Sequence, residues 1–257
     1  MRALSVPTVS VLQFGRSFRA AEGAIGFCST VLIDGAKRTL VDTGHVGRRS
    51  GLLRALRQRE ISAESIDVVV LTHAHWDHSQ NLDLFPNAQI LIGRAELEYA
   101  RSPREGDFAT PQWTGAMLDS HRGVVSVDNG HSVEPGVVVL TTPGHSPGTL
   151  SVVVETGAER AAVTGDAIPR AQDALSGVNP VVFHSTRQAS ESIQRLREIA
   201  DVFYPGHDLP FRIVGDGVEY LERSIIKMYG LYPGDPDQVQ FRVADEEPWV
   251  MPGSESD

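Results

Sequence analysis

The sequence predicts an α/β fold of two stacked mixed β-sheets flanked by helices. Three features predict it. Short apolar runs fall into two sets, one between residues 8 and 92 and the other between 124 and 164. The downstream ends of these runs are rich in glycine and aspartate, which stop strands. Amphipathic stretches of helical period lie between them. A chain of 257 residues can bury a large core without dividing. Residues 1–257 therefore read as one domain, with a C-terminal arm from about residue 232.

Taken in order, residues 8–14, 28–33 and 38–41 read as strands punctuated by Gly15, Gly23, Gly35 and Gly44. Leu52, Leu53 and Leu56, set among Arg54, Arg57 and Arg59, predict an amphipathic helix over about 48–60. Residues 68–71 form a short apolar strand, and 79–84 should carry the helix that follows it. Strand 89–92 leads into a short helix through Ala95, Leu97 and Tyr99. Residues 101–122 break this rhythm. There Pro103, Gly106, Pro111 and Gly115 are mixed with Phe108, Trp113 and Met117, as suits a loop that covers a substrate or one that plugs a gap in the core.

Strands are expected again at 124–127, 137–142, 150–154 and 161–164. After a second irregular segment, 167–184, Ser185 and Gln188 make a capping box for a helix through Ile193, Leu196 and Ile199. Residues 210–214 precede an expected helix holding Val218, Leu221, Ile225 and Met228. From residue 232 onward, Pro, Gly and acidic residues surround Phe241, Val243, Trp249 and Val250. That stretch reads as an arm packed on the domain or on the partner of a homodimer, or as a frayed tail.

The chemistry concentrates after the strand at 68–71. His73, His75, Asp77 and His78 lie within six positions, and all can ligate a borderline metal such as zinc. In an extended segment side chains two apart point the same way, so His73 and His75 can share one ion. Asp77 and His78 stand where the chain turns into a helix and can aim at a second centre.

His73-Ala74-His75-Trp76-Asp77-His78 resembles the H-x-H-x-D-H signature of the metallo-β-lactamase-fold hydrolases. Three further matches follow in that family's order: Thr142-Pro143-Gly144-His145-Ser146-Pro147-Gly148, the run ending Gly165-Asp166, and Pro205-Gly206-His207. The resemblance implies an αβ/βα sandwich with a metal centre at one edge. By position, His73, His75 and His145 would hold one divalent ion and Asp77, His78 and His207 a second, with Asp166 bridging. Two zinc ions so placed would share a hydroxide that attacks a substrate carbonyl. Asp42 would orient a metal-bound histidine, and Asp77 could also pass a proton to the leaving group.

A carboxylate at the bridge and a chain without a cysteine after Cys28 look more like the lactonase, thioesterase and phosphodiesterase branches than the antibiotic-degrading lactamases. The N-acyl-homoserine lactonase-like group is the most similar in size and in its Thr-Pro-Gly-His turn. It typically places a tyrosine after the bridging aspartate. Residues 167–184 contain none, and His184 is the candidate hydrogen-bond donor in its stead, with Phe108, Trp113 and Phe183 as pocket candidates. The implied reaction is hydrolysis of a lactone or related carboxylic ester. A glyoxalase-II-like thioesterase and a mononuclear iron sulfur dioxygenase remain open.

Composition sets the outer limits. The formal charge of −10 argues against a nucleic-acid partner and leaves a small molecule as substrate. No run is long enough to span a bilayer, which argues against a membrane partner. The first residues lack a continuous apolar segment, so the cytoplasm is the expected compartment. Cys28, the one cysteine, reads as a small buried residue.

Overall fold

Period-two alternation decides the layering, and the strands carry it openly. In the strand Thr30–Asp34, Val31 and Ile33 face one side and Leu32 the other; in Val68–Val70, the two outer valines and Val69 part in the same way. The computed structural model describes residues 6–20, 23–226 and 248–255. It contains a six-stranded sheet in the order Thr8–Gln13, Thr30–Asp34, Arg38–Val41, Val68–Val70, Gln89–Gly93, Val124–Val127. The first two pairings are antiparallel and the last three parallel.

A seven-stranded sheet is assembled from the second half. It runs His131–Glu134, Val137–Thr141, Leu150–Glu155, Arg160–Gly165, Val202–Pro205, Phe211–Val214, Gly217–Tyr220, with one parallel pair, Arg160–Gly165 with Val202–Pro205. The sheets share a core in which Val31, Val70 and Leu91 pack with Val139, Val152 and Val163. Outside the first sheet, Leu32, Val69 and Ile90 pack on helices α1 (Arg49–Arg57) and α3 (Arg94–Arg101). Outside the second, Ala162 and Phe203 meet α5 (Ala171–Ser176) and α6 (Thr186–Ile199). The order helix, sheet, sheet, helix is the predicted αβ/βα sandwich.

Local expectations needed correction at several points. The helix expected over 79–84 starts earlier, as α2 (Trp76–Ser79), and only a 3-10 turn covers Leu82–Leu84. Residues 101–122 hold a helix of their own, α4 (Thr114–Ser120). The helix expected through Val218, Leu221 and Ile225 is absent. Phe211–Val214 and Gly217–Tyr220 form an antiparallel hairpin, closed by Gly215 and Asp216 with Gly215 at φ +58°. That two-residue Gly turn sets strand pairing against the 3–4 spacing of the apolar residues. Met228 lies outside the described residues. So do Phe241 and Val243, whereas Trp249–Val250 pairs in parallel with Val181–Val182 and Met251 is buried beside Ala109 and Phe183. Ser185 caps α6, its hydroxyl accepting from the Gln188 amide at 3.3 Å.

Candidate metal centre

The strand Val68–Val70 brings the chain to the sheet edge, and α2 begins six residues later. His73 and His75 occupy the connection, and Asp77 and His78 the first turn of α2. Two backbone bonds fix this connection: Leu150 donates to the Thr72 carbonyl at 2.7 Å, and Trp76 to that of Ala109 at 2.9 Å. His145 comes from the loop after Val137–Thr141. Asp166 follows Arg160–Gly165, and His207 follows the parallel neighbour Val202–Pro205. Parallel strands end on the same edge, so their trailing residues gather there.

The donor atoms converge. One ligand atom from each of His73, His75 and His145 lies within 4.8 Å of the others, as does one from each of Asp77, His78 and His207. Asp166 reaches both groups. Its Oδ2 is 3.5 Å from His145 Nε2 and 3.2 Å from His207 Nε2, and its Oδ1 is 3.5 Å from His78 Nε2. His145 Nε2 stands 3.1 Å from His75 Nδ1, and Asp77 Oδ2 is 3.4 Å from His207 Nε2. A tetrahedral ion with bonds of about 2.0–2.1 Å spaces its ligands roughly 3.3 Å apart. The donor set therefore fits such ions. Buried polar atoms normally have partners, yet the Nε2 atoms of His73 and His78 and Oδ1 of Asp166 have none.

The other ring nitrogens are held from behind. His145 Nδ1 donates to the Val181 carbonyl at 2.7 Å, which leaves its Nε2 a lone pair for the centre. His207 Nδ1 is 3.1 Å from the Phe27 carbonyl. His78 Nδ1 donates to Asp42 Oδ2 at 2.7 Å. Asp42 also accepts from the Thr72 amide at 2.7 Å and the Thr72 hydroxyl at 2.8 Å. It sits in the left-handed region at φ 59°, so its carboxylate is aimed by an uncommon backbone conformation.

Burial, reinforced by neighbouring imidazoles, lowers His73 and His75 well below the ordinary range and keeps them neutral, the ligating form. Burial lowers His145 too. Against the opposing effect of burial, His207 and His78 hold Asp166 well below the usual carboxylate range. Asp166 raises His207 to about 9, again against burial.

One buried carboxylate had no sequence signal. Glu96, in the first turn of α3, reads as an ordinary acid favoured by the helix dipole. It is fully buried instead. Its Oε1 accepts from the Ala74 amide at 2.9 Å, and its Oε2 from the Ser146 hydroxyl at 2.7 Å and the Gly148 amide at 2.9 Å. Glu96 thus joins the loop of His73 and His75 to the loop of His145. Gly148 permits the contact, because a Cβ there would lie 2.1 Å from the Glu96 nitrogen. Similarly, a Cβ on Gly206 would meet Asp166 Oδ1 at 2.0 Å.

The centre opens on a cleft of about 430 Å³ that includes His75, Asp77, His145, Asp166 and His207. Phe108 and Phe183 line it, and so do Phe18, Trp76 and Trp249, which sequence reasoning missed. Two candidates do not line it. Trp113 is half exposed at the start of α4. His184 is not among the lining residues, whereas its neighbour Phe183 is; the His184 carbonyl accepts from the Glu255 amide at 3.0 Å. His45 packs its ring against Trp76 at 5.3 Å.

A model of the metallo-beta-lactamase superfamily matches residues 23–207. The rat protein called metallo-beta-lactamase domain-containing protein 1 is 33% identical over 213 residues, covering 80% of this chain and 76% of that protein. An N-acyl homoserine lactonase of Bacillus cereus is 25% identical over 162 residues, 62% of each. Among solved structures, AiiA of B. thuringiensis, with N-decanoyl-L-homoserine bound at its active site, aligns with a TM-score of 0.65 at 22% identity. That alignment covers 80% of this chain and 94% of the other.

Proposed function

The chain belongs to the metallo-beta-lactamase superfamily, and on that premise we propose that it is a dinuclear zinc hydrolase of lactones or related carboxylic esters. The observation that carries the proposal is the set of three buried donor atoms without partners, the Nε2 atoms of His73 and His78 and Oδ1 of Asp166, with Asp166 within 3.2–3.5 Å of histidines from both groups. His73, His75 and His145 would hold one ion, Asp77, His78 and His207 the other, and Asp166 both. Two divalent cations bound by these residues would supply Lewis-acid chemistry, making water a nucleophile near neutral pH and polarising a carbonyl.

The chain's own residues do the rest. Asp42 and the Val181 carbonyl fix the His78 and His145 rings, so that no reorganisation is needed during the reaction. Asp77 borders the cleft, and one carboxylate oxygen there can carry a proton to the departing oxygen. The aromatic lining favours an uncharged ester over a phosphodiester. Arg170, the one Lys or Arg in that lining among the described residues, is already in a two-bond pair with Asp173 at 2.7 and 2.9 Å. The lactonase relative points the same way.

The test is elemental analysis of protein grown with zinc and iron, followed by a hydrolysis screen of lactones, esters, thioesters, phosphodiesters and β-lactams. Two zinc ions per chain and fastest turnover of a lactone or ester are expected. One iron without a second ion, or turnover of a phosphodiester alone, overturns the proposal.

A further inference from the structure

Three segments distant in sequence meet beside His75 and His145 and give the cleft an aromatic wall. Phe108 comes from the connection between α3 and α4, Phe183 from the residue after Val181–Val182, and Trp249 from the short terminal strand. Their ring centroids are 5.2, 5.1 and 5.0 Å apart, pair by pair. Phe183 in turn lies edge-on to His75 at 4.5 Å and to His145 at 5.5 Å. Phe108 remains 64% exposed within this cluster, so the wall offers uncovered apolar surface in the cleft that holds the donor set.

A single side chain ties the three segments together. Arg104 Nη2 donates to the Phe183 carbonyl at 2.5 Å and to the Ser254 hydroxyl at 2.9 Å, and its Nη1 donates to the Gly253 carbonyl at 2.9 Å. Residues on both sides of Arg104 are anchored as well: the Tyr99 hydroxyl donates to Asp107, which accepts from the Ala109 and Thr110 amides. The fork geometry of a guanidinium suits such a clamp, because its donors are fixed in one plane. Trp249 lies beyond residues 23–207, the part matched by the superfamily model. One third of the wall therefore comes from a segment that the superfamily pattern does not describe.

We propose that residues 249–255, clamped by Arg104, form a specificity-determining wall that seats an apolar substituent of the substrate, an alkyl chain or an aryl ring. Trp249 is the contacting residue and Arg104 a positioning residue. This rests on the hydrolase reading above for its reaction, but its binding claim stands apart from turnover. Burying each methylene against such a wall is worth roughly fourfold in affinity. A six-carbon arm with half its length covered then binds at least tenfold more tightly than a ligand without it.

The experiment uses the full-length, zinc-loaded protein and two pairs of probes. Calorimetric titration compares 2-pyrrolidinone with 5-hexyl-2-pyrrolidinone, lactams that serve as slow substrate mimics. Kinetics compares γ-butyrolactone with γ-decalactone. The hexyl lactam should bind at least tenfold better than its parent, and kcat/KM should favour the hexyl lactone. Trp249→Ala and Arg104→Ala should each reduce that preference at least fivefold with two zinc ions still bound, and Trp249→Phe should restore most of it. If Arg104→Ala does not fold, the Trp249 pair decides. Equal binding of the two lactams by the unaltered protein, or an undiminished preference in Trp249→Ala, overturns the proposal. Preferential binding of the hexyl lactam without opening of either lactone upholds the wall and removes the lactone reading instead.

Discussion

Asp42→Asn isolates the contribution of one oxygen to the metal centre. The substitution suits the backbone, since asparagine is among the residues best tolerated at the φ of 59° found there. Asp42 now meets three donors: the Thr72 amide, the Thr72 hydroxyl and His78 Nδ1, at 2.7, 2.8 and 2.7 Å. An amide keeps one acceptor. Turned to the Thr72 amide, it sets its NH2 against the N–H of His78, while the Thr72 hydroxyl can rotate to accept. Should His78 move its proton to Nε2 instead, it loses the lone pair that faces Asp166. Either way one charge-assisted hydrogen bond is lost, worth about 1.5–3 kcal/mol. At about 1.4 kcal/mol per factor of ten, the ion proposed at Asp77, His78 and His207 should bind about 10–100-fold more weakly, in line with other residues that support metal ligands. Competition against a chromophoric chelator measures the two stepwise affinities, and circular dichroism checks the fold. The ion proposed at His73, His75 and His145 should change much less. Unaltered affinity at both positions in Asp42→Asn would refute the reasoning.

Two further substitutions probe the groups that join the halves of the centre. Glu96→Gln replaces an acceptor of the Ala74, Ser146 and Gly148 donors with an NH2 group, leaving at least one buried amide unpaired at a cost of about 1–3 kcal/mol. With roughly 2–4 °C per kcal/mol for a chain of this size, the melting temperature should fall by about 2–12 °C, with weaker binding of the His73–His75–His145 ion. A thermal scan identical to that of the unaltered protein would contradict this. Asp166→Ala removes the carboxylate shared by both groups, so it should loosen the second ion and lower turnover by orders of magnitude. Two tightly held ions and near-full activity would show that no dinuclear mechanism operates.

Where local pattern and tertiary demand agreed, the fold was legible. Val31, Ile33, Val68 and Val70 alternate with Leu32 and Val69, and that alternation alone assigns each to one of two buried layers. Leu52 and Leu56 mark the buried face of α1 in the same way. Reading failed where two periods overlap. Val218, Leu221 and Ile225 have helical spacing, but the turn at Gly215 and Asp216 folds their segment back onto Phe211–Val214. His184 and Phe183 differ by one position in an extended segment, and a shift of one residue exchanges the two faces.

The sequence by itself determined the chemistry on offer: which histidines and aspartates end the strands, and that an ion-binding motif follows Val68–Val70. Those facts are local, because donor type and strand end are written within a few residues. Only the tertiary structure decided how the donors meet and what surrounds them. Glu96, Asp42 and the Val181 carbonyl act across 22 to 52 residues of chain, and Arg104 and Trp249 across more than 65. No periodicity links such positions. They are brought together by the packing of two sheets, whose edges place residues from six different strand ends around one small volume.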